Sequence, residues 1–271
     1  MVMQKPGNFI AAMSALGLVM TAACKEENPP NPPATPSSSF LDDLHYKCYG
    51  ISDAYAESVG VDFLNQFAHE RGPLGTPLSF CTPVIKITKE GEHGTLSATD
   101  LKCYAFRGSD PDATVSLKTK QFGTEVHDVL EAIAVCAPAN MAVAPNEPSQ
   151  SLPRSPYYTC YRIEGDKPDH APVDLKTRPF PPEREVAVNE PWALCAPSVK
   201  DPKGSEEEQQ EQLRRAEEAF PHLKCYGIEG PPLGMRLNLL TIFGPERNVS
   251  VNQPQGFCVP VKKEVLPPVE G

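Results

Sequence analysis

The sequence predicts an all-β protein of four duplicated, three-stranded, disulfide-bearing units, paired into two small barrels or sandwiches, plus one surface helix. Three observations support this prediction. A cysteine pattern recurs four times, apolar and polar residues alternate within each recurrence, and a single charged segment has helical spacing. With 271 residues, the chain is long enough to bury a substantial core.

The dipeptide Cys-Tyr opens each repeat. It occurs at Cys48-Tyr49, Cys103-Tyr104, Cys160-Tyr161 and Cys225-Tyr226. A second cysteine, with proline two positions on, follows after 33, 33, 35 and 33 residues, at Cys81, Cys136, Cys195 and Cys258. A phenylalanine recurs between them, at Phe67, Phe122, Phe180 and Phe243. The two cysteines and the phenylalanine keep nearly the same spacing in all four copies, which indicates one duplicated unit of roughly 40–45 residues.

Within a unit the pattern is that of β-strands. In the first segment the tyrosine and the apolar residue two positions later share a face opposite the cysteine, as with Tyr49 and Ile51. The residue two before the second cysteine is always small, which leaves room for a bridging sulfur: Ser79, Ala134, Ala193 and Gly256. The middle segment, such as 115–122, alternates like a half-exposed strand.

Cysteine parity predicts a disulfide framework. Of nine cysteines, Cys24 stands apart, and the remaining eight fall two to a unit. Two symmetric pairings remain open. One joins cysteines within each unit, as Cys48 with Cys81, and is favoured; the other joins neighbouring units, as Cys48 with Cys136.

Spacing between the repeats predicts two domains. Residues 41–142 hold units one and two, 143–155 form a proline-containing linker, and 156–265 hold units three and four. A helix over about 205–220 is inserted before unit four, with Ser205 and Glu208 as a capping box. Its narrow apolar stripe, which includes Leu213, predicts a solvated connector, with a partner-binding helix as the alternative.

The N-terminus has the layout of a signal peptide over residues 1–23. Its apolar run, 9–20, is too short to span a bilayer, and it ends in small residues before Cys24. This stretch resembles the lipobox of bacterial lipoproteins, which implies a lipid on Cys24; ordinary cleavage after Ala23 is the alternative. Residues 24–40 are rich in proline and serine and are expected to form a tether.

The repeat also resembles a known family. The units, with His-Leu-Lys-Cys-Tyr at 222–226, Gln-Phe-Gly at 121–123 and Phe-Cys-Val-Pro at 257–260, are similar to a tandem repeat family of unknown function in exported bacterial proteins. Unit three departs from it, with Arg178-Pro179 where glutamine would stand. The resemblance implies export and a disulfide-bearing β module, and it carries over no catalytic residue.

Few residues suggest chemistry. His45 and His222 each precede a cysteine by three positions, but residues three apart on a strand face opposite sides, so no metal site is expected. The other histidines occur at unrelated positions within their units, as expected of surface residues. Trp192, the only tryptophan, is expected in the core. No catalytic motif is present, so no catalytic residue and no cofactor are predicted.

These observations predict a non-catalytic cell-envelope protein with a structural or adhesive role, exported and lipid-anchored to the bacterial outer membrane through Cys24. The alternatives are a glycan- or peptide-binding module, with its site in a cleft between paired units, and a hydrolase. Its expected partners are the membrane and an envelope protein or glycan. Nucleic acid is excluded because a net charge of −10 repels phosphate.

Overall fold

The computed structural model describes residues 43–52, 59–152, 155–169 and 172–267. The predicted signal peptide and tether therefore lie outside the described residues. In chain order the strands are β1 (Tyr46–Ser52), β2 (Gly60–Leu64), β3 (His69–Pro73), β4 (Pro77–Thr88), β5 (Gly91–His93), β6 (Asp100–Ala105), β7 (Ala113–Thr119), β8 (Gly123–Val129), β9 (Ala132–Val143), β10 (Tyr157–Arg162), β11 (Val173–Thr177), β12 (Glu183–Val186), β13 (Val188–Lys200), β14 (His222–Ile228), β15 (Met235–Thr241) and β16 (Gly244–Val265). The helix α1 (Glu206–Ala219) lies between β13 and β14.

Eight of these strands close into one barrel. Each unit contributes its first strand and its last strand, and every neighbour in the ring is antiparallel. The order around the ring is β1, β4, β6, β9, β10, β13, β14 and β16, which pairs with β1 again. Eight strands leave an interior just wide enough to be filled by side chains.

The barrel interior is built in layers of four side chains. One layer consists of large residues two positions before each first cysteine: Tyr46, Leu101, Tyr158 and Leu223. The four disulfides form the next layer. The small residues predicted to accommodate the sulfurs follow: Ser79, Ala134, Ala193 and Gly256. The predicted placement of the cysteines on one face, with the tyrosines on the other, is confirmed.

Outside the barrel, each unit exchanges its middle segment with the unit opposite. This segment is a two-stranded hairpin, rather than the single strand that the sequence predicted. The hairpin strand β2 of unit one pairs with β13 of unit three, and β11 of unit three pairs with β4 of unit one. In the same way, β7 pairs with β16 and β15 pairs with β9, which links units two and four.

The recurring phenylalanine holds these exchanged hairpins in place. Each packs against the Cys-Tyr tyrosine of the opposite unit, with ring centroids 4.5–5.3 Å apart. The four pairs are Phe67 with Tyr161, Phe122 with Tyr226, Phe180 with Tyr49, and Phe243 with Tyr104. The repeat motif therefore encodes a contact between units that are not neighbours in the sequence.

The all-β class and the four disulfide-bearing units are confirmed, but the pairing into two separate barrels or domains is wrong. Units one and two cannot form one body because their hairpins lie on units three and four. The segment 143–155, predicted as a linker, is hydrogen-bonded to the barrel. Asn238 donates to the carbonyl of Asn146, and Asn140 donates to the carbonyl of Ser149.

The inserted helix is confirmed. Ser205 is its N-cap, and the capping box with Glu208 is complete. Leu213 is buried, so one edge of the helix packs against the barrel while its charged face remains exposed.

Candidate functional site

The eight predicted disulfide cysteines are joined within units. The bonds are Cys48–Cys81, Cys103–Cys136, Cys160–Cys195 and Cys225–Cys258. This confirms the favoured pairing and rules out the exchange between neighbours. Sulfurs of adjacent units still approach to 3.8–3.9 Å, as Cys81 with Cys103. Four disulfides are typical of an exported protein.

The two histidines that precede cysteines lie outside the barrel interior. The His45 ring stacks on Phe257, with centroids 5.9 Å apart, and burial lowers the pKa of His45 to about 4. His222 is also buried, which lowers its pKa to about 3. Both cysteines three positions later are disulfide-bonded, so the two H-x-x-C sequences do not form ligand sets. The described residues contain no cluster of three or more His, Cys, Asp or Glu side chains that could hold a metal ion.

His127 contradicts its expected place on the surface. It is 4% exposed and lies between two polar partners. Its Nδ1 lies 2.8 Å from the carbonyl oxygen of Glu164, and its Nε2 lies 2.8 Å from Nζ of Lys224. In the tautomer with its proton on Nδ1, His127 donates to the carbonyl of Glu164 and accepts from Lys224, and Oε2 of Glu125 lies 3.3 Å from the same Nε2. The histidine is therefore part of a buried polar network.

Buried lysines were missed by the sequence reasoning. Lys47, Lys102 and Lys224 stand directly before the Cys-Tyr pair, and each is at most 1% exposed. Each ammonium lies over the ring of the following tyrosine, 4.7–5.0 Å from its centroid. Each also forms an ion pair with a glutamate on the opposite unit's hairpin: Glu183, Glu246 and Glu125 respectively. Recurrence of Lys-Cys-Tyr in three units was the signal that could have revealed them.

Trp192 also contradicts its predicted core position, since it is 38% exposed. The cause is a β-bulge. Pro191 and Ala193 pair with the consecutive residues Tyr226 and Cys225, which leaves Trp192 as the extra residue. Bulges at a barrel rim redirect a side chain. A methyl group at Gly256 would lie 3.6 Å from the indole, so the ring lies across the barrel end.

The same bulge occurs in all four last strands. The extra residues are Leu78, Ile133, Trp192 and Gln255. Leu78 is 42% exposed, and Ile133 is half-buried. We call this set the bulge face. It lies at the end of the barrel where the first strands finish, whereas those strands begin at the opposite end.

A pocket of about 400 Å³ lies at that opposite end, where units one, two and three meet. Its polar residues are Thr82, Asp100 and Arg178, and its apolar walls include Leu96, Ala98 and Met141. We call it the junction pocket. Burial raises the pKa of Asp100 from 3.8 to about 7, partly offset by a hydrogen bond with Thr82. Arg178 is exposed.

A third polar cluster joins helix α1 to the barrel. Nζ of Lys263 lies 3.3 Å from Nε2 of His222 and 5.1 Å from the centroid of Phe67. Burial lowers the pKa of Lys263 to about 8 and raises the pKa of Glu217, the nearby carboxyl on the helix. The cluster joins Glu217 of the helix to His222 and Lys263 of the barrel, and so it docks the helix.

No family model, curated protein or solved structure matches this chain. Its resemblance to a tandem cysteine repeat family and to bacterial lipoproteins therefore stays a prediction. In the part of the chain that the structure describes, no helix has the length and apolar character needed to cross a membrane.

Proposed function

We propose that the protein is a non-catalytic adhesive or structural module of the bacterial cell envelope, held by a lipid on Cys24 to the outer membrane. The observation that carries this proposal is the opposite placement of two features. Strand β1 begins at one end of the barrel, and the bulge face, with Leu78 and Trp192 exposed, lies at the other. The proposed tether precedes β1 in the chain, so the bulge face lies at the barrel end opposite the point of attachment.

The bulge face supports contact with an envelope protein. Leu78 and Trp192 expose large apolar side chains at this end of the barrel, and tryptophan is enriched where contacts between proteins are strongest. The four residues differ in chemistry although their backbone positions are equivalent, with glutamine in unit four and three apolar residues in the others. The apolar part of the bulge face is therefore supplied by units one, two and three, and unit four contributes a polar side chain.

Anchoring is tested by labelling cells with a radioactive fatty acid. Label should enter the wild-type chain and be absent from the Cys24→Ala variant, which should be released from the membrane fraction. Equal membrane association of both forms, without label, would refute the lipid anchor.

Adhesion is tested by replacing Trp192 with a photo-crosslinking amino acid in intact cells. We expect one discrete adduct with an envelope protein. Val126, which is 60% exposed on the hairpin of unit two, provides the matched control position and should give none. An adduct of equal yield at both positions, or none at residue 192, would count against the bulge face as the contact site.

A second candidate function, a small-ligand or peptide-binding module, is favoured by the junction pocket. Pockets of about 300–1,000 Å³ are typical of ligand sites. The pocket lies where units one, two and three meet, rather than in a cleft between two paired units, and none of its described lining residues is aromatic, so a sugar ring has nothing on which to stack. A ligand array in which no compound shifts the thermal unfolding of the protein would refute this candidate.

A further inference from the structure

The junction pocket lies where the four units differ from one another. Asp100 occupies the position held by histidine in units one and four and by Tyr157 in unit three. Arg178-Pro179 interrupts the pattern seen at Gln66-Phe67 and Gln121-Phe122. Positions shared by all units build the barrel, whereas a site present once must be built from residues that are not shared.

The pocket is lined by one acidic side chain, Asp100, and one basic side chain, Arg178. Neither Asp100 nor Arg178 forms an ion pair with any other described residue. Asp100 is half-buried near Thr82, whose hydroxyl donates to the backbone carbonyl of Arg178 at 3.4 Å, while the exposed guanidinium of Arg178 has its donors available to a ligand. Both groups line the same cavity of about 400 Å³. The pocket therefore presents an acidic and a basic group that are not paired with other described side chains.

The rest of the lining is apolar. Leu96, Ala98, Met141 and Val143 supply it, together with the rings of Pro83 and Pro179. A ligand that fits must carry a short apolar part between or beside two charged groups. The volume lies near the lower end of the range for ligand sites, which restricts the ligand to a small molecule.

We propose that the junction pocket binds a small zwitterion, an α-amino acid with an apolar side chain, whose ammonium contacts Asp100 and whose carboxylate contacts Arg178. This inference rests on the binding-module candidate and is independent of adhesion through the bulge face. Arginine is well suited to the carboxylate because its planar donors match both oxygens. An ammonium beside Asp100 favours the ionised carboxylate that burial otherwise disfavours.

The experiment is calorimetric titration of the full chain with leucine, N-acetylleucine and leucinamide at pH 8. Leucine should bind, and each derivative should bind at least about tenfold more weakly because it lacks one charge. Asp100→Asn and Arg178→Gln should each weaken leucine binding by a similar factor. Both substitutions are conservative in size, and thermal unfolding would verify that the variants fold.

The matched controls are Asp166→Asn and Arg107→Gln, which change exposed residues outside the pocket and should leave leucine binding unchanged. The proposal is overturned if leucine produces no heat of binding, or if leucinamide and N-acetylleucine bind as well as leucine. It is also overturned if the pocket variants bind like the wild type. Should another compound bind in an Arg178-dependent way while leucine does not, the binding module stands and the zwitterion assignment fails.

Discussion

The first strand of unit three differs from its three counterparts at one buried position. Units one, two and four place a lysine there, paired with a glutamate of the opposite hairpin. Unit three has Thr159, whose hydroxyl lies 2.9 Å from that of Ser198 in the same unit. The position therefore requires a satisfied polar group, but not a charge.

The opposite hairpin is adapted to this difference. Glu70, on the hairpin of unit one, has no lysine to pair with at this place. It accepts hydrogen bonds from the hydroxyls of Tyr161 and Ser109 instead, at 3.2 and 2.7 Å. The contact between the first strand of one unit and the hairpin of the opposite unit can thus be made by ion pairs or by neutral hydrogen-bond donors. Substitutions can establish how much the buried polar groups contribute to stability.

The largest effect is expected for Lys102→Met. This substitution leaves Glu246, whose side chain is 7% exposed, buried without its ammonium partner. Removing one member of a buried ion pair typically costs about 3–5 kcal/mol. Urea unfolding with the disulfides intact would measure the change. The double variant Lys102→Met with Glu246→Gln should recover much of the stability, and a single variant as stable as the wild type would show that the pair is not a structural requirement.

Lys47→Met should have a smaller effect, about 2 kcal/mol, although the position is equivalent. The reason is that the Glu183 side chain is 18% exposed and can regain water when the lysine is lost. The same urea titration applies. A loss larger than that of Lys102→Met would contradict the role assigned to exposure of the acid.

Thr159→Val should cost less still, about 1 kcal/mol, since a neutral hydrogen bond is lost and no charge is left buried. The Ser198 hydroxyl keeps the carbonyl of Ala196 as a partner, 3.0 Å away. Thermal unfolding would detect the shift. A cost equal to that of Lys102→Met would mean that this neutral hydrogen bond within unit three contributes as much as the ion pair between units two and four.

Asp100, an acid that no cation pairs with among the described residues, should make the stability of the fold depend on pH. Burial raises its pKa from 3.8 to about 7, so the folded chain retains a proton that the unfolded chain loses between these values. The free energy of unfolding should therefore fall as the pH rises from about 4 to 7 and then level off. Asp100→Asn should remove this part of the slope. Urea unfolding at pH 5 and pH 8 would test it, and an unchanged pH dependence would refute it.

Much of the local structure was predictable because it depends on neighbours in the chain. Alternation on the first strand placed Cys48 inside and Tyr49 outside, and the capping box at Ser205 located the helix start. The exchange of hairpins was not predictable. Phe67 could pack on the tyrosine of any unit, because the four copies share the same pattern, and only the closed ring selects Tyr161.

The candidate sites were harder to predict for the same reason. Trp192 follows the strand pattern, and only the bulge beside it turns the indole outward. Asp100 and Arg178 lie in different units, and no periodicity links them. What was visible in the sequence was that unit three departs from the repeat at Arg178-Pro179, and that departure does line a pocket.

The exchange between opposite units also sets the order in which the chain can fold. The hairpin of unit one has no strand to join until β13 of unit three has been made, and that of unit two must wait for β16. During synthesis, the hairpin of unit two therefore lacks its partner strand until unit four has been made. Any shortened chain that lacks unit four would leave unit two incomplete and the ring open, so the barrel can close only after unit four has been made.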